Sequence, residues 1–272
     1  MKRLSSAFQK CARQGRAALI PYIVAGHPSL QETGILIDAM VAAGADIIEL
    51  GVPFSDPLAD GSVIRQAAHH AVGSGVRLRD ILELVRDLRK RGEGVPIVLM
   101  GYANPFLRYG LAALGRDAGQ LIDGLIVADL PIDEAAVWQG CLDRFGLPLI
   151  GCAAPKTTRR RLQVIARRSA GFLYCIAVKG TTGSRSTVAD GLAADLTRYR
   201  RVTSLPLAVG FGLSTPEQIR TVAAIADGVI VGSALVERIE AAATGSCAAA
   251  ARDFLATLVP ALQRPARMEV VR

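Results

Sequence analysis

Glu49 is a carboxylate set between Ile48 and Leu50 in an apolar run, and Asp60 follows it in a loop braced by Pro53 and Pro57. If that run is a strand, alternation puts Ile47, Glu49 and Gly51 on one face and Ile48 and Leu50 on the other. An acid among such neighbours loses the hydration of its charged form, so its pKa rises and it can hold a proton near neutrality, as a general acid must. Two carboxylates in unlike surroundings can then divide acid and electrostatic work. The competing reading of Glu49 is a strand-end carboxylate that satisfies a backbone N–H or an arginine, since buried ion pairs also occur away from active sites. Two glycine-rich stretches, Gly210-Phe211-Gly212-Leu213-Ser214 and Gly232-Ser233-Ala234, form a second chemical feature. Each lets backbone N–H groups approach an anion, and Gly232-Ser233 opens a helix whose N-terminus carries partial positive charge. Glycines needed only for tight turns are the alternative there. The loop Gly180-Thr181-Thr182-Gly183 is polar and glycine-hinged, which suits a lid or an ordinary flexible connection.

The elements that would position these groups recur along the chain. Eight short apolar runs, at 18–24, 47–51, 96–100, 124–128, 148–152, 172–177, 206–210 and 228–231, are each followed by a helical pattern. Ser29-x-x-Glu32 and Ser214-x-x-Glu217 read as capping boxes, the second with Pro216 in its first turn, and Ile81, Leu84, Val85 and Leu88 form a helical stripe. Strand then helix, eight times, predicts a closed α/β (β/α)8 TIM barrel over one domain, 1–272, with the chemistry where strands give way to loops. A doubly wound sheet is the rival, but no Gly-x-Gly-x-x-Gly follows the first strand. Leu4, Phe8 and Cys11 are spaced for an extra amphipathic helix over about 3–14. The absence of acidic residues from 1–31 is also the composition of a transit peptide, yet the helix runs into the first strand without a spacer. The tail 264–272 carries no pattern.

Composition narrows the function classes. With 272 residues and 51% hydrophobic content, one sizeable core can form, and the longest apolar runs fall short of the roughly 20 residues that span a bilayer. Five cysteines without a C-x-x-C pair and three histidines predict reduced thiols, no metal site and a cytoplasmic location. The net charge of +8 is mostly arginine, with Arg159, Arg160, Arg161, Arg167 and Arg168 around one helix. Without interleaved aromatics that cluster reads as a solvated helix face rather than a nucleic-acid patch, and the positive field favours an anionic phosphate ester.

The stretch Ile48-Glu49-Leu50-Gly51-Val52-Pro53-Phe54-Ser55-Asp56-Pro57-Leu58-Ala59-Asp60-Gly61 resembles, position for position, the signature of the tryptophan synthase alpha chain family. The resemblance extends over nearly the whole barrel and thins after about Thr244. It implies a lyase that cleaves indole-3-glycerol phosphate to indole and glyceraldehyde 3-phosphate, with Glu49 as acid-base residue and Asp60 as its partner. It further implies an indole pocket lined by Tyr22, Tyr174 and Phe211, a lid in which Thr182 closes toward Asp60, and a phosphate near the Gly183 N–H, Gly212, Gly232 and Ser233. Pro53, Asp56, Asn104 and Pro105 would face a beta chain in an αββα complex. No cofactor is expected in this chain, because PLP would belong to that partner.

Some positions depart from the family. His27 stands where aspartate is usual and is assigned no role; Ser62-Val63-Ile64-Arg65 replaces Pro-Thr-Ile-Gln and alters the outer wall of the site; Gly119 to Ile122 is one residue short. Three rival functions stay open. They are a stand-alone lyase that releases indole, a Schiff-base aldolase using Lys179, and a non-catalytic regulatory partner of a beta-like enzyme. If Tyr174 faces inward, strand parity turns Lys179 away from the lumen.

Overall fold

The computed structural model describes residues 2–177, 185–210, 212–243 and 245–264. Its first half runs α1 (Lys2–Arg13), β1 (Ala18–Val24), α2 (Leu30–Ala42), β2 (Ile48–Gly51), α3 (Ser62–Gly73), α4 (Leu78–Lys90), β3 (Ile97–Gly101), α5 (Ala103–Tyr109), α6 (Leu111–Ala118) and β4 (Gly124–Val127). Its second half runs α7 (Ala135–Leu142), β5 (Cys152–Ala153), α8 (Arg159–Arg168), β6 (Leu173–Ile176), α9 (Arg185–Arg200), β7 (Leu207–Gly210), α10 (Pro216–Ala223), β8 (Gly228–Val231), α11 (Ser233–Glu240) and α12 (Cys247–Leu258). The strands are parallel in the order β4-β3-β2-β1-β8-β7-β6-β5, and a bridge between Leu125 and Leu149 brings the two ends together. This is the expected (β/α)8 barrel.

Alternation sorts the strand residues into two cores. Ile20, Ile47, Val98, Ile126, Ile150, Phe172, Ala208 and Ile230 fill the barrel interior, whereas Leu19, Ile48, Leu99, Leu125, Leu173, Val209 and Val229 pack outward against the helices. Helix α1 closes the N-terminal end of the barrel. Its Leu4, Phe8 and Cys11 join the interior cluster, and the Phe8 and Phe172 rings lie 5.6 Å apart.

Three aspartates stitch that same end. Asp46, Asp123 and Asp227 precede β2, β4 and β8 and accept hydrogen bonds from the N–H groups of Leu19 (2.9 Å), Ile97 (3.0 Å) and Leu207 (2.8 Å) on neighbouring strands. Each is matched by arginine: Arg16 on Asp46, Arg3 and Arg89 on Asp123, and Arg200 and Arg264 on Asp227. Part of the arginine excess therefore supports the barrel base. In the cluster around α8, Arg159, Arg160, Arg161 and Arg167 are exposed, as a solvated face requires.

Two local expectations shift. The fifth strand was expected over 148–152, but only Cys152 and Ala153 pair as strand, because the ladder to β4 consists of the Leu125–Leu149 bridge alone. The cap of α10 falls on Thr215 rather than Ser214: the Thr215 hydroxyl accepts from the Gln218 N–H, and the Gln218 side chain accepts from the Thr215 N–H at 3.2 Å. Pro216 occupies the first turn as predicted, which places the cap directly before it. Ser29 caps α2 as expected, accepting from the Glu32 N–H at 3.0 Å.

Candidate active site

Glu49 lies in β2 with Tyr22 of β1 and Val98 of β3 beside it in register, so its side chain projects into the barrel above the apolar interior. It is 1% exposed, and neither carboxylate oxygen has a hydrogen-bond partner among the described residues. Burial, with a smaller contribution from the charge of Asp60, pushes its pKa up to about 8. Glu49 is therefore a protonated acid at neutral pH, and none of the described residues supplies the partner that the strand-end reading requires.

Two tyrosines flank this acid. Tyr22 and Tyr174 are buried, and burial together with nearby carboxylates raises both phenols above their ordinary range. Glycines make room for them: a Cβ at Gly51 would collide with the Tyr22 hydroxyl, and one at Gly210 with the Tyr174 hydroxyl. Cys152 also turns inward toward Glu49, which together with burial raises the thiol to about 12 and keeps it neutral.

Asp60 ends the loop after β2, just before α3. Burial raises its pKa, while a hydrogen bond from Tyr102 and the charge of Arg65 act in the opposite direction. The Tyr102 hydroxyl also accepts the Ala59 N–H at 3.0 Å, and its ring lies 5.5 Å from that of Phe54. Tyr102 thus fixes the Asp60 loop. Sequence reasoning gave Tyr102 no role in the site, although a tyrosine one residue beyond the end of β3 was a usable signal. Arg65, noted as a departure, supplies a positive charge toward Asp60.

The glycine loops stand at the ends of β7 and β8. Gly212 has φ +71°, which favours glycine, and Gly232 precedes α11, whose first turn is capped by no side chain among the described residues. Gly232 and Ser233 are half-buried, and a Cβ on Gly232 would sit 3.4 Å from the Tyr22 ring. An anion at this helix start would thus lie beside the pocket of Glu49. Phe211, Thr182, Gly183 and Lys179 fall outside the described residues.

At the same end of the barrel, Asp56 and Asn104 are exposed and Pro105 is half-exposed. Pro53, expected on the partner face, is instead buried, because Val52 still pairs with Met100 at 2.7 Å and holds the chain at the barrel mouth. Leu58 is 94% exposed, an apolar side chain beside Asp56 that the sequence reading did not single out. His27 is buried on the helical side, where Nε2 meets Glu240 at 2.8 Å and the ring packs edge-on against His70.

The model of the tryptophan synthase alpha chain family matches residues 8–260. A tryptophan synthase alpha chain from Roseiflexus sp. (strain RS-1) is 47% identical over 95% of this chain and 99% of its own length. Another, from Geobacter sp. (strain M21), is 48% identical over 88% and 90%. The crystal structure of tryptophan synthase subunit alpha from Legionella pneumophila str. Paris superposes with a TM-score of 0.88 at 35% identity, covering 96% of this chain and 98% of the other. With this barrel and these relatives, the chain belongs to the tryptophan synthase alpha chain family.

Proposed function

We propose that the chain cleaves indole-3-glycerol phosphate to indole and glyceraldehyde 3-phosphate by a retro-aldol reaction, with Glu49 as the acid-base residue. The observation that carries this reading is the buried Glu49 side chain, without a hydrogen-bond partner among the described residues and with its pKa raised by burial and by the nearby charge of Asp60. Indole is a poor carbon leaving group until C3 is protonated. Glu49 delivers that proton, and Asp60 stabilises the positive charge that appears on the ring nitrogen. The carboxylate left at Glu49 takes the proton from the side-chain hydroxyl as the carbon–carbon bond breaks. The electron pair of that bond restores the indole, the aldehyde forms, and Glu49 is again protonated. Tyr22, Tyr174 and Phe211 line the indole pocket; Gly212, Gly232 and Ser233, with Gly183 from the lid, hold the phosphate; Thr182 closes toward Asp60.

The released indole passes to a PLP-dependent beta chain in an αββα complex, in the cytoplasm. Asp56, Asn104 and Pro105 present the docking face, joined by Leu58, whose exposure suits an apolar contact. Glu49→Gln tests the assignment: it keeps substrate binding and lowers kcat by roughly 10² to 10⁴-fold, whereas a variant retaining most of its turnover removes Glu49 from the reaction. Lys179 defines the competing aldolase chemistry. Borohydride with substrate present leaves the chain unmodified if Glu49 does the work and traps a covalent adduct if Lys179 does.

A further inference from the structure

A cavity of about 200 Å³ is lined by the ends of β4 and β5, the segments flanking them, and helices α7 and α8. Its cause is the short β5. With one bridge at Leu125–Leu149 joining the two strands, their C-terminal ends part, and Cys152 and Ala153 pair only toward β6 among the described residues. Among its lining residues, Ile150 and Cys152 pack with the barrel interior, whereas Leu149 and Ile165 pack outward against the helices. Cys152 and Ile150 belong to the inward-facing set that includes Tyr174, and Cys152 lies close enough to Glu49 to feel its charge. The cavity therefore adjoins the acid's side of the lumen.

Its polar lining is already engaged. Arg161 pairs with Asp133 at 3.3 Å, Arg168 donates to Gln139 at 3.1 Å, Ser169 accepts from the Gly151 N–H, and Thr157 accepts from the Ala154 N–H. The apolar part of the lining, Val127, Leu130, Ile132, Leu149, Ile150 and Ile165, suits an uncharged apolar group. An apolar cavity of about 150 Å³ accommodates benzene, which sets the size of group that fits.

In an eight-strand barrel β4 lies across the lumen from β8. A substrate with its phosphate at the β7 and β8 loops and its C3 at Glu49 on β2 must extend its fused ring toward the β3 to β5 wall. We propose that the gap between β4 and β5 is a subsite for apolar substituents on the benzo edge of the indole, so that the enzyme cleaves ring-substituted indole-3-glycerol phosphates as well as the parent. This rests on the lyase reading above and names the substrate class that the pocket admits.

The test compares kcat/KM for indole-3-glycerol phosphate and its 5-chloro, 6-chloro, 5-phenyl and 6-phenyl derivatives. Wild type should cleave both chloro compounds and at least one phenyl compound within about tenfold of the parent. Ala135→Leu and Ile165→Phe fill the outer chamber from α7 and α8 without touching the lumen. Both should leave kcat/KM for the parent unchanged and lower it at least about tenfold for the accepted phenyl compound, the scale on which added bulk in an apolar pocket discriminates. Wild type that cleaves the parent but loses more than about a hundredfold on every derivative overturns the subsite, as do folded filling variants that treat parent and derivatives alike. If a filling variant does not fold, the other variant and the wild-type comparison decide. Failure to cleave the parent itself overturns the lyase reading instead.

Discussion

Glu49 is neutral where most glutamates are charged, and this has consequences for both activity and stability. Because the reaction needs its proton, kcat/KM should fall as pH rises through about 8, where the buried acid ionises. A rate that stays level from pH 7 to 10 would contradict its role as the acid. The folded chain also keeps a proton that the unfolded chain releases at the ordinary glutamate value of 4.5. The folded state then binds more protons between 4.5 and about 8, so this group lowers stability progressively as pH rises across that window. Glu49→Gln carries no such penalty, and its Tm relative to wild type should grow between pH 5 and pH 8; a constant difference would mean that Glu49 is ionised in the fold. That Glu49 shares a strand face with Ile47 and Gly51 was legible from alternation alone, whereas the barrel decided that this face is the inward one. Its lack of a partner among the described residues was not legible, because that depends on which side chains the other seven strands bring into the lumen.

Loops and helix starts divide the remaining work between the two ends of the barrel. At the C-terminal end, Gly232→Val would press against the Tyr22 ring and Gly212→Val would place a β-branched residue at φ +71°, so both should weaken binding of a glycerol-phosphate analogue. Equilibrium dissociation constants check this, and unchanged values in both variants would remove the phosphate from these loops. At the opposite end, Asp123 is buried between Arg3 and Arg89 and also holds the Ile97 N–H. Asp123→Ala leaves those groups uncompensated and should cost about 3 kcal/mol in chemical denaturation, with kcat of the folded fraction unchanged. The strand and helix order was readable because alternation and capping are local. The Asp46, Asp123 and Asp227 network was not, since each pairing crosses to another strand or helix far along the chain.

For the whole molecule, membership of the tryptophan synthase alpha chain family makes this a lyase of tryptophan biosynthesis, built as a TIM barrel with one end open to substrate and the other sealed by α1. Adding a saturating beta chain should raise the indole-forming kcat, because a partner that favours the closed geometry increases the fraction of time in which water is excluded. Steady-state assays with sedimentation check this. No complex and no rate change would favour a lyase that works alone, and Leu58→Asp should weaken a complex that does form. The sequence by itself determined the barrel, the strand face that Glu49 shares with Ile47 and Gly51, the glycine ends of β7 and β8 and the family, because these rest on period-two and helical spacing, on turn chemistry and on a long contiguous motif. Only the tertiary structure decided that Pro53 is buried, that Tyr102 holds Asp60, that β5 shrinks to two residues and that a cavity opens beside Cys152. Each of these follows from how distant segments close against one another, and a one-residue difference in where a strand stops pairing leaves no mark on the local pattern.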